Sequence, residues 1–375
     1  MVKNFSQNVM NVFMQNDTNY SEVKNLMTDL ARGREMFDAD GNKIAKADAE
    51  KKLLDLSRAI FGLSEGYTPR EFKRAMRDHS REWFDVIEEI VDEYIQTGMQ
   101  ENEFFNDFVD YRNLALGQEN MFYAPEDIIL SIAKVGVSHH DYILQRYKES
   151  EPITVPMARY GGAVGADINR YMAGQEDWDR LVTALARAAM SKQQTIIWNE
   201  VKAAAAKLPV QTGFVESGAI SNTDAVKNRF RAVISNVSMA NNGADVVIFG
   251  TDTALRSLNA LADVDWANRT MKDDMFMMGR LGSFEGTALV EIPNRFIDKN
   301  YDAKVFDDNI LFFLPAGQDN KFIYFVTQGE TEIDEIMEKG EEHGRIDDIQ
   351  KYEIQMTWGV ATATYRQFGQ WTITS

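Results

Sequence analysis

"QEDWDRLVTALARAAMSKQQTIIWNEVKAAAAKLP", Gln175–Pro209, is the strongest helical stretch in the chain. Its Ala, Leu, Lys and Gln content is high in helix propensity. Trp178, Leu181, Val182, Leu185, Ala189, Ile196, Ile197 and Val201 keep helical spacing, Asp177 favours the positive start, and Pro209 blocks continuation. At 1.5 Å per residue, some thirty residues span roughly 45 Å, longer than a typical globular helix.

Before this helix the pattern changes. "EDIILSIAKVGVSHHDYILQRYKESEPITVPMARYGGAVGADI", Glu126–Ile168, is rich in β-branched residues and has no helical stripe. It reads as two long strands with a polar tip near "QRYKESEP". A hairpin alone is marginal in water, so one of this length is expected to lie on something else, such as another subunit. The first 125 residues read as helices: one starting near Ser21 as N-cap, one over Ile44–Leu63, and a long one capped by Thr68 with Pro69 at its first position. Phe72, Met76, Trp83, Phe84, Ile87, Ile90, Val91 and Tyr94 mark the buried stripe of the third.

After Pro209 the element types alternate. "TDAVKNRFRAVISNVSMA" is helical, "ADVVIFGT" is a buried strand, and "DTALRSLNALADV" is helical with Asp252 as candidate cap. "RLGSFEGTALVEIP" reads as a hairpin with glycines at its turn, and "NILFFLPAG" and "KFIYFVTQG" as two more strands. An acidic stretch, Glu330–Asp348, precedes the ending "YEIQMTWGVATATYRQFGQWTITS", Tyr352–Ser375. There Ile354, Met356, Trp358 and Val360 share one face of a long, half-buried strand.

Composition narrows the function. The 375 residues are 44% hydrophobic, which is ample core material for two to three domains. The absence of cysteine removes disulfides, thiolate metal sites and a cysteine nucleophile, and fits a reducing compartment. A net charge of −18 argues against gripping nucleic acid by its phosphates, although an acidic wall can enclose it. The N-terminus reads as too polar for a secretory signal, and no apolar run is long enough to span a membrane.

Catalytic motifs are weak. "DADGNKIAKADAE", Asp38–Glu50, departs from a calcium loop at its sixth place, Lys43, and its twelfth, Ala49, and reads as an Asp-Gly turn. His139 and His140 point to opposite faces of a strand, so they do not share one ion; His79 and His343 sit in charged surroundings and are expected to be exposed. "GSFEG" has its serine misplaced for a nucleophile elbow. "GGAVGAD", Gly161–Asp167, lacks a phosphate-gripping lysine and reads as a bend out of the hairpin. The carboxylates from Glu330 to Asp348 read as a solvated face. No catalytic, cofactor-binding or metal residue is assigned.

The order of elements is helical arm, long hairpin, very long helix, mixed α/β region, closing strand. Over about Glu126–Ser375 this resembles the major capsid proteins of tailed bacteriophages, the Johnson fold. The resemblance implies an α+β fold in five parts. These are an N-terminal helical arm (1–125), an extended β-hairpin loop (126–168), a peripheral domain with the spine helix (169–212), an axial α/β domain (213–350), and a C-terminal strand (351–375). That strand would return to the peripheral domain and pack Trp358 on the spine helix.

The implied function is a structural subunit, not an enzyme. Many identical copies would form hexamers and pentamers of an icosahedral shell around double-stranded DNA, without sequence-specific binding and without a membrane. Scaffolding, portal and decoration proteins are the implied partners, and the virion capsid, assembled in the host cytoplasm, the implied location. The tip of the extended loop, Arg146, Lys148 and Glu149, is the implied inter-subunit contact. Some family members cross-link a lysine to an asparagine; Lys134 and Lys148 lie on the hairpin, but no pair is assigned. An encapsulin-like compartment shares the fold, and the long N-terminal addition weighs against it. A soluble α/β enzyme needs a convergent pocket, for which no trio of residues presents itself.

Overall fold

The structure, a computed structural model, describes residues 6–15, 20–32, 34–37, 43–64, 66–100, 103–115, 118, 120–123, 152–167, 178–261, 277, 279–297, 300–316, 321–329, 331–336, 349–362 and 367–374. In chain order the elements begin with α1 (Gln7–Gln15), α2 (Tyr20–Arg32), β1 (Met36–Phe37), β2 (Lys43–Ile44), α3 (Lys46–Ile60), α4 (Pro69–Gln100) and α5 (Glu103–Phe108). Then come β3 (Val109–Leu114), β4 (Met121–Tyr123), β5 (Pro152–Thr154), β6 (Met157–Asp167), α6 (Trp178–Ala205), β7 (Val215–Gly218), α7 (Asp224–Ala240) and β8 (Val246–Gly250). The last are α8 (Asp252–Ser257), β9 (Ser283–Phe284), β10 (Thr287–Glu291), β11 (Ile310–Pro315), β12 (Ile323–Gln328), β13 (Glu332–Ile336), β14 (Ile349–Thr362) and β15 (Gly369–Ile373). Mixed helix and sheet is the class expected of the sequence. The chain divides into two compact units, and the division cuts through β6, α6, β12 and β14.

The first unit comprises 1–101, 158–193 and 327–358. Its 32-residue helix α4 begins with a capping box. The Thr68 N–H donates to Glu71 Oε2 at 2.7 Å, and the Glu71 N–H donates to Thr68 Oγ1 at 3.4 Å. Behind that cap α4 buries Phe72, Val86, Ile87, Ile90, Val91 and Met99. Helix α2 starts at Tyr20, so Ser21 lies inside its first turn and is not the cap. Strands β1 and β2 pair antiparallel, Met36 opposite Ile44, on either side of the Asp-Gly stretch, whose residues 38–42 lie outside the described residues. In the sheet of this unit β14 pairs with β13 and with β6. The glycines from Gly161 therefore lie within a strand and not in a bend, because a glycine run lets β6 close on β14: a Cβ on Gly161 would stand 3.1 Å from the Ile354 carbonyl oxygen. Trp358 stacks on Tyr160 of β6, with centroids 4.5 Å apart and rings 11° from parallel.

The second unit comprises 102–157, 194–326 and 359–375 and is built on a six-stranded sheet of order β7-β15-β11-β8-β10-β9. Both faces of this sheet are covered, which explains the unbroken apolar run of β11. One face packs Ile248, Leu311, Phe313 and Trp371 against Phe230, Val233 and Val237 of α7 and Leu255 of α8. On the other, Trp198 of α6 meets Phe312 at 4.9 Å and Phe306 at 5.0 Å, and Phe104 of α5 meets Phe249 at 5.6 Å. Helix α8 is capped by Thr251, whose hydroxyl accepts from the Ala254 N–H at 3.4 Å, and not by Asp252. The hairpin of β9 and β10 turns at Glu285 and Gly286, both at positive φ (47° and 88°), a primed turn.

The ending read as one long strand is two strands in different sheets. Strand β14 stops at Thr362, and β15 lies between β11 and β7. The change of sheet has a sequence correlate. Ile354, Met356 and Trp358 are buried at alternate, even positions, burial becomes continuous from Trp358 to Ala361 where β14 ends, and β15 buries Gly369 and Trp371 at odd positions.

Candidate assembly site

The strands on either side of residues 124–151, which lie outside the described residues, form one short ladder. Strands β4 and β5 pair antiparallel, with Met121 opposite Thr154, Phe122 opposite Ile153 and Tyr123 opposite Pro152. Residues 157–167, read from sequence as part of the outgoing hairpin, pair instead with β14 as β6, and of that hairpin residues 126–151 lie outside the described residues.

The root of that segment is built from several elements of the second unit. Phe122 is buried and stacks on Tyr324 of β12, with centroids 5.5 Å apart and rings at 20°. The Arg112 guanidinium of β3 lies 4.8 Å from the Phe122 ring and 5.9 Å from the Tyr324 ring, and donates to Asp110 Oδ2 at 2.7 and 2.9 Å. A planar guanidinium over two aromatic faces, oriented by the Asp110 carboxylate, fixes both rings. The Asn120 amide donates to the Val155 carbonyl, and Val155 packs with Val326, Ala361, Leu114 and Met157. Gly359 completes the root: a Cβ there would stand 2.3 Å from the Pro156 carbonyl oxygen, so only glycine lets β14 pass.

In each unit the shifted titratable groups have structural causes. Burial pushes the Tyr111 hydroxyl on β3 well above the ordinary tyrosine range. On α4, burial raises Glu82, but hydrogen bonds from the Asn8 amide (2.6 Å), the Ser6 hydroxyl (2.8 Å) and His79 Nδ1 (3.0 Å) outweigh it and hold the carboxyl below its ordinary range. His79 is thus half-buried and engaged. Among the described residues no group of His, Cys, Asp and Glu is placed to hold a metal ion. None of their helices is long and apolar enough to cross a membrane. A shallow groove of about 400 Å³ lies along β6 and β14, lined by Arg159–Ala163 and Glu353–Gln355, and Arg159 pairs with Glu332 at 3.0 Å. Ser283 of "GSFEG" sits in β9, before a hairpin turn. The expected contact residues Arg146, Lys148 and Glu149 lie outside the described residues, as do Lys134, His139, His140 and His343.

A family described as "SPbeta prophage-derived putative capsid protein YonB" matches this sequence over residues 22–372. The chain belongs to the YonB family of capsid proteins. It is a structural capsid subunit of phage type, and a prophage-derived family favours that over a cargo compartment. No curated protein sequence matches it.

Among solved structures it is similar to a chain of the bacteriophage PhiM1 mature capsid, at 13% identity and TM-score 0.48, covering 73% of this chain and 88% of that one. It is also similar to a chain of Mycobacterium phage Bobi, at 10% identity and TM-score 0.46, covering 71% and 89%. A third is a virus-like particle from Pyrococcus furiosus, at 11% identity and TM-score 0.39, covering 74% and 95%. These likenesses are loose, and the family match decides.

For a YonB-family subunit, the residues that sequence reading missed are those of the root. Arg112, Phe122 and Tyr324 come from three distant stretches, and nothing in their local patterns joins them. Gly359 did leave a signal: a glycine inside an alternating apolar strand marks a close backbone approach.

Proposed function

We propose that copies of this chain assemble, as hexamers and pentamers, into a closed icosahedral shell that encloses double-stranded DNA in the virion. The family match over residues 22–372 carries this reading. The root of 124–151 supports it: one ladder holds both ends of the segment side by side against a buried aromatic pair. At about 3.3 Å per residue, a segment folded back at its middle extends at most roughly 45 Å from that root. Because a hairpin alone is marginal in water, a neighbouring subunit is the support we assign to such a limb. Arg146, Lys148 and Glu149, expected at the tip, fall three to six residues before β5 once the segment ends at 151, so we assign them as a contact of its returning half and not of its tip.

The same reading makes the N-terminal helices an arm that grips neighbours, α6 the spine of a peripheral domain, and the six-stranded sheet the core of an axial domain. It gives the chain a structural role without catalysis or cofactor. Scaffolding, portal and decoration proteins complete the partners, and assembly takes place in the host cytoplasm. With net charge −18, the wall offers packed DNA no phosphate grip and lets it slide.

Electron microscopy of the purified protein tests the reading. Closed shells of uniform diameter are expected, and a protein that stays monomeric at every concentration, with or without scaffold, overturns it. Tight retention of duplex DNA by isolated subunits at moderate salt overturns the sliding wall.

A further inference from the structure

Helix α4 carries its charge in two blocks. From Arg70 to Arg81 it has Arg70, Lys73, Arg74, Arg77 and Arg81 against Glu71 and Asp78. From Glu82 to Glu93 it has Glu82, Asp85, Glu88, Glu89, Asp92 and Glu93, and no lysine or arginine. Helical spacing places the five basic positions on one face about 17 Å long, opposite the buried Phe72 and Ala75. Arg70 and Arg74 are exposed there. The acids of the first block do not interrupt that face: Glu71 bonds the Thr68 cap, and Asp78 lies at the flank, 4.0 Å from Arg74.

Spacing carries the same face on through Asp85, Glu88 and Asp92, all partly exposed, while Glu82 turns away to Ser6, Asn8 and His79. Strand β13 of the same unit packs beside this second block, where Thr331 donates to Asp92, and adds Glu332, Asp334 and Glu335. Lys24 pairs with Glu93 at 2.9 Å and Arg159 with Glu332 at 3.0 Å, too few cations to change the sign of the block.

Within one chain this order works against the helix. Arg70 and Arg74, Lys73 and Arg77, and Arg77 and Arg81 are like charges four residues apart, which repel. Arg70 also stands in the first turn, at the positive end of the helix dipole. Helix stability therefore does not account for the two blocks, whereas a partner with the opposite order does.

A duplex laid along α4 would satisfy the basic block and meet the carboxylates of the next three turns. A second copy offers both signs at once, and its acidic block complements the basic face. Resting on the capsid reading above, we infer that the basic face of α4 in one copy docks on the acidic block of α4 and β13 in another.

Arg70→Glu/Arg74→Glu changes two exposed residues and is expected to melt at or slightly above the wild-type temperature, while its threshold concentration for assembly rises about tenfold. Adding Asp85→Arg/Glu88→Arg to that chain restores the opposite signs and should bring the threshold back to within about threefold of wild type. Because the protein has no cysteine, a second measurement does not depend on the charge swap. A mixture of Arg74→Cys and Glu88→Cys chains, assembled and treated with a short bifunctional maleimide, should give the mixed dimer, and Arg74→Cys alone should give none.

Assembly of Arg70→Glu/Arg74→Glu at the wild-type threshold overturns the inference; if that variant also loses retention of duplex DNA at low salt, the occupant is nucleic acid. A steep loss of its melting temperature makes the face a folding element and overturns it too. So does a fourfold variant that melts like wild type without recovering assembly, or a mixed dimer absent from assembled particles. Wild-type protein separates the two readings: if it forms open oligomers that yield the mixed dimer but no shells, the capsid proposal fails and the α4 contact stands.

Discussion

Gly359 of β14 passes Pro156 so closely that a Cβ would lie 2.3 Å from the Pro156 carbonyl oxygen, with Val155 Cγ1 at 2.9 Å. The obstacle is backbone, which a rotamer change does not relieve. Gly359→Ala is therefore expected to destabilise the second unit by about 1–3 kcal/mol, the range for overpacking a close-packed site. It also displaces the chain where residues 124–151 return. Urea unfolding checks the first part, and proteolysis within 124–151 the second; a midpoint equal to wild type contradicts the close approach.

Trp198 is 1% exposed, surrounded by Phe104, Phe306 and Phe312, and donates to Asp307. Trp198→Ala removes the centre of that cluster and is expected to cost about 3–5 kcal/mol. Asp307→Ala leaves the ring in place but strands a buried N–H and deprives Lys202 of its partner. Because Asp307 is half exposed and water reaches it, about 1–2 kcal/mol is expected. Guanidinium midpoints of the two variants should rank in that order, and the reverse ranking means that the hydrogen bond and not the packing holds α6.

Much of this architecture was legible from period alone. Helices α3, α4, α6 and α7 and strands β8, β11 and β12 stand where their apolar spacing places them, because each buries one stripe or one run. What was not legible depended on partners distant in sequence. Trp198 follows Ile196 and Ile197 in an apolar run, so spacing alone did not single it out as the residue at the centre. The end of the chain was read as one strand because no proline and no turn cluster interrupts it. The apolar alternation of Ile354, Met356 and Trp358 gives way to continuous burial from Trp358 to Ala361, and that loss of period is the mark of the change of sheet. The root of 124–151 was hidden for the same reason: Arg112, Phe122 and Tyr324 meet only after the sheet forms.

The capping box of α4 was half legible, Thr68 and Pro69 being visible and Glu71 overlooked. Its two reciprocal bonds satisfy backbone donors at the start of a 32-residue helix. Thr68→Ala is expected to cost about 1 kcal/mol, the usual loss for a cap. Thr68→Ser, which keeps the hydroxyl, should restore most of it. Thermal melts of the two variants provide the check, and equal losses in both rule out the hydroxyl as the cause.

Glu82 fastens the N-terminal helix. Its carboxylate accepts from Ser6, Asn8 and His79, while Asn8 also donates to the Ile60 carbonyl at 3.2 Å, and Val9 and Val12 are buried behind them. Burial opposes the charge, the hydrogen bonds favour it more, and the net effect is a folded-state acidity below the ordinary glutamate range. A depressed carboxylate contributes stability that is fully present above the unfolded-state value, about pH 4.3, and is lost as pH falls through the lower folded value. At neutral pH α1 is therefore expected to be held, and below about pH 4 to loosen before the rest of the first unit. Glu82→Gln removes the charge at every pH. Hydrogen exchange at the Val9–Val12 amides should then quicken about tenfold at pH 7, equivalent to about 1.4 kcal/mol of docking, and its remaining dependence on pH between 3 and 5 should flatten once corrected for intrinsic exchange. Exchange in Glu82→Gln that matches wild type at pH 7 shows that α1 is held by the burial of Val9 and Val12 alone.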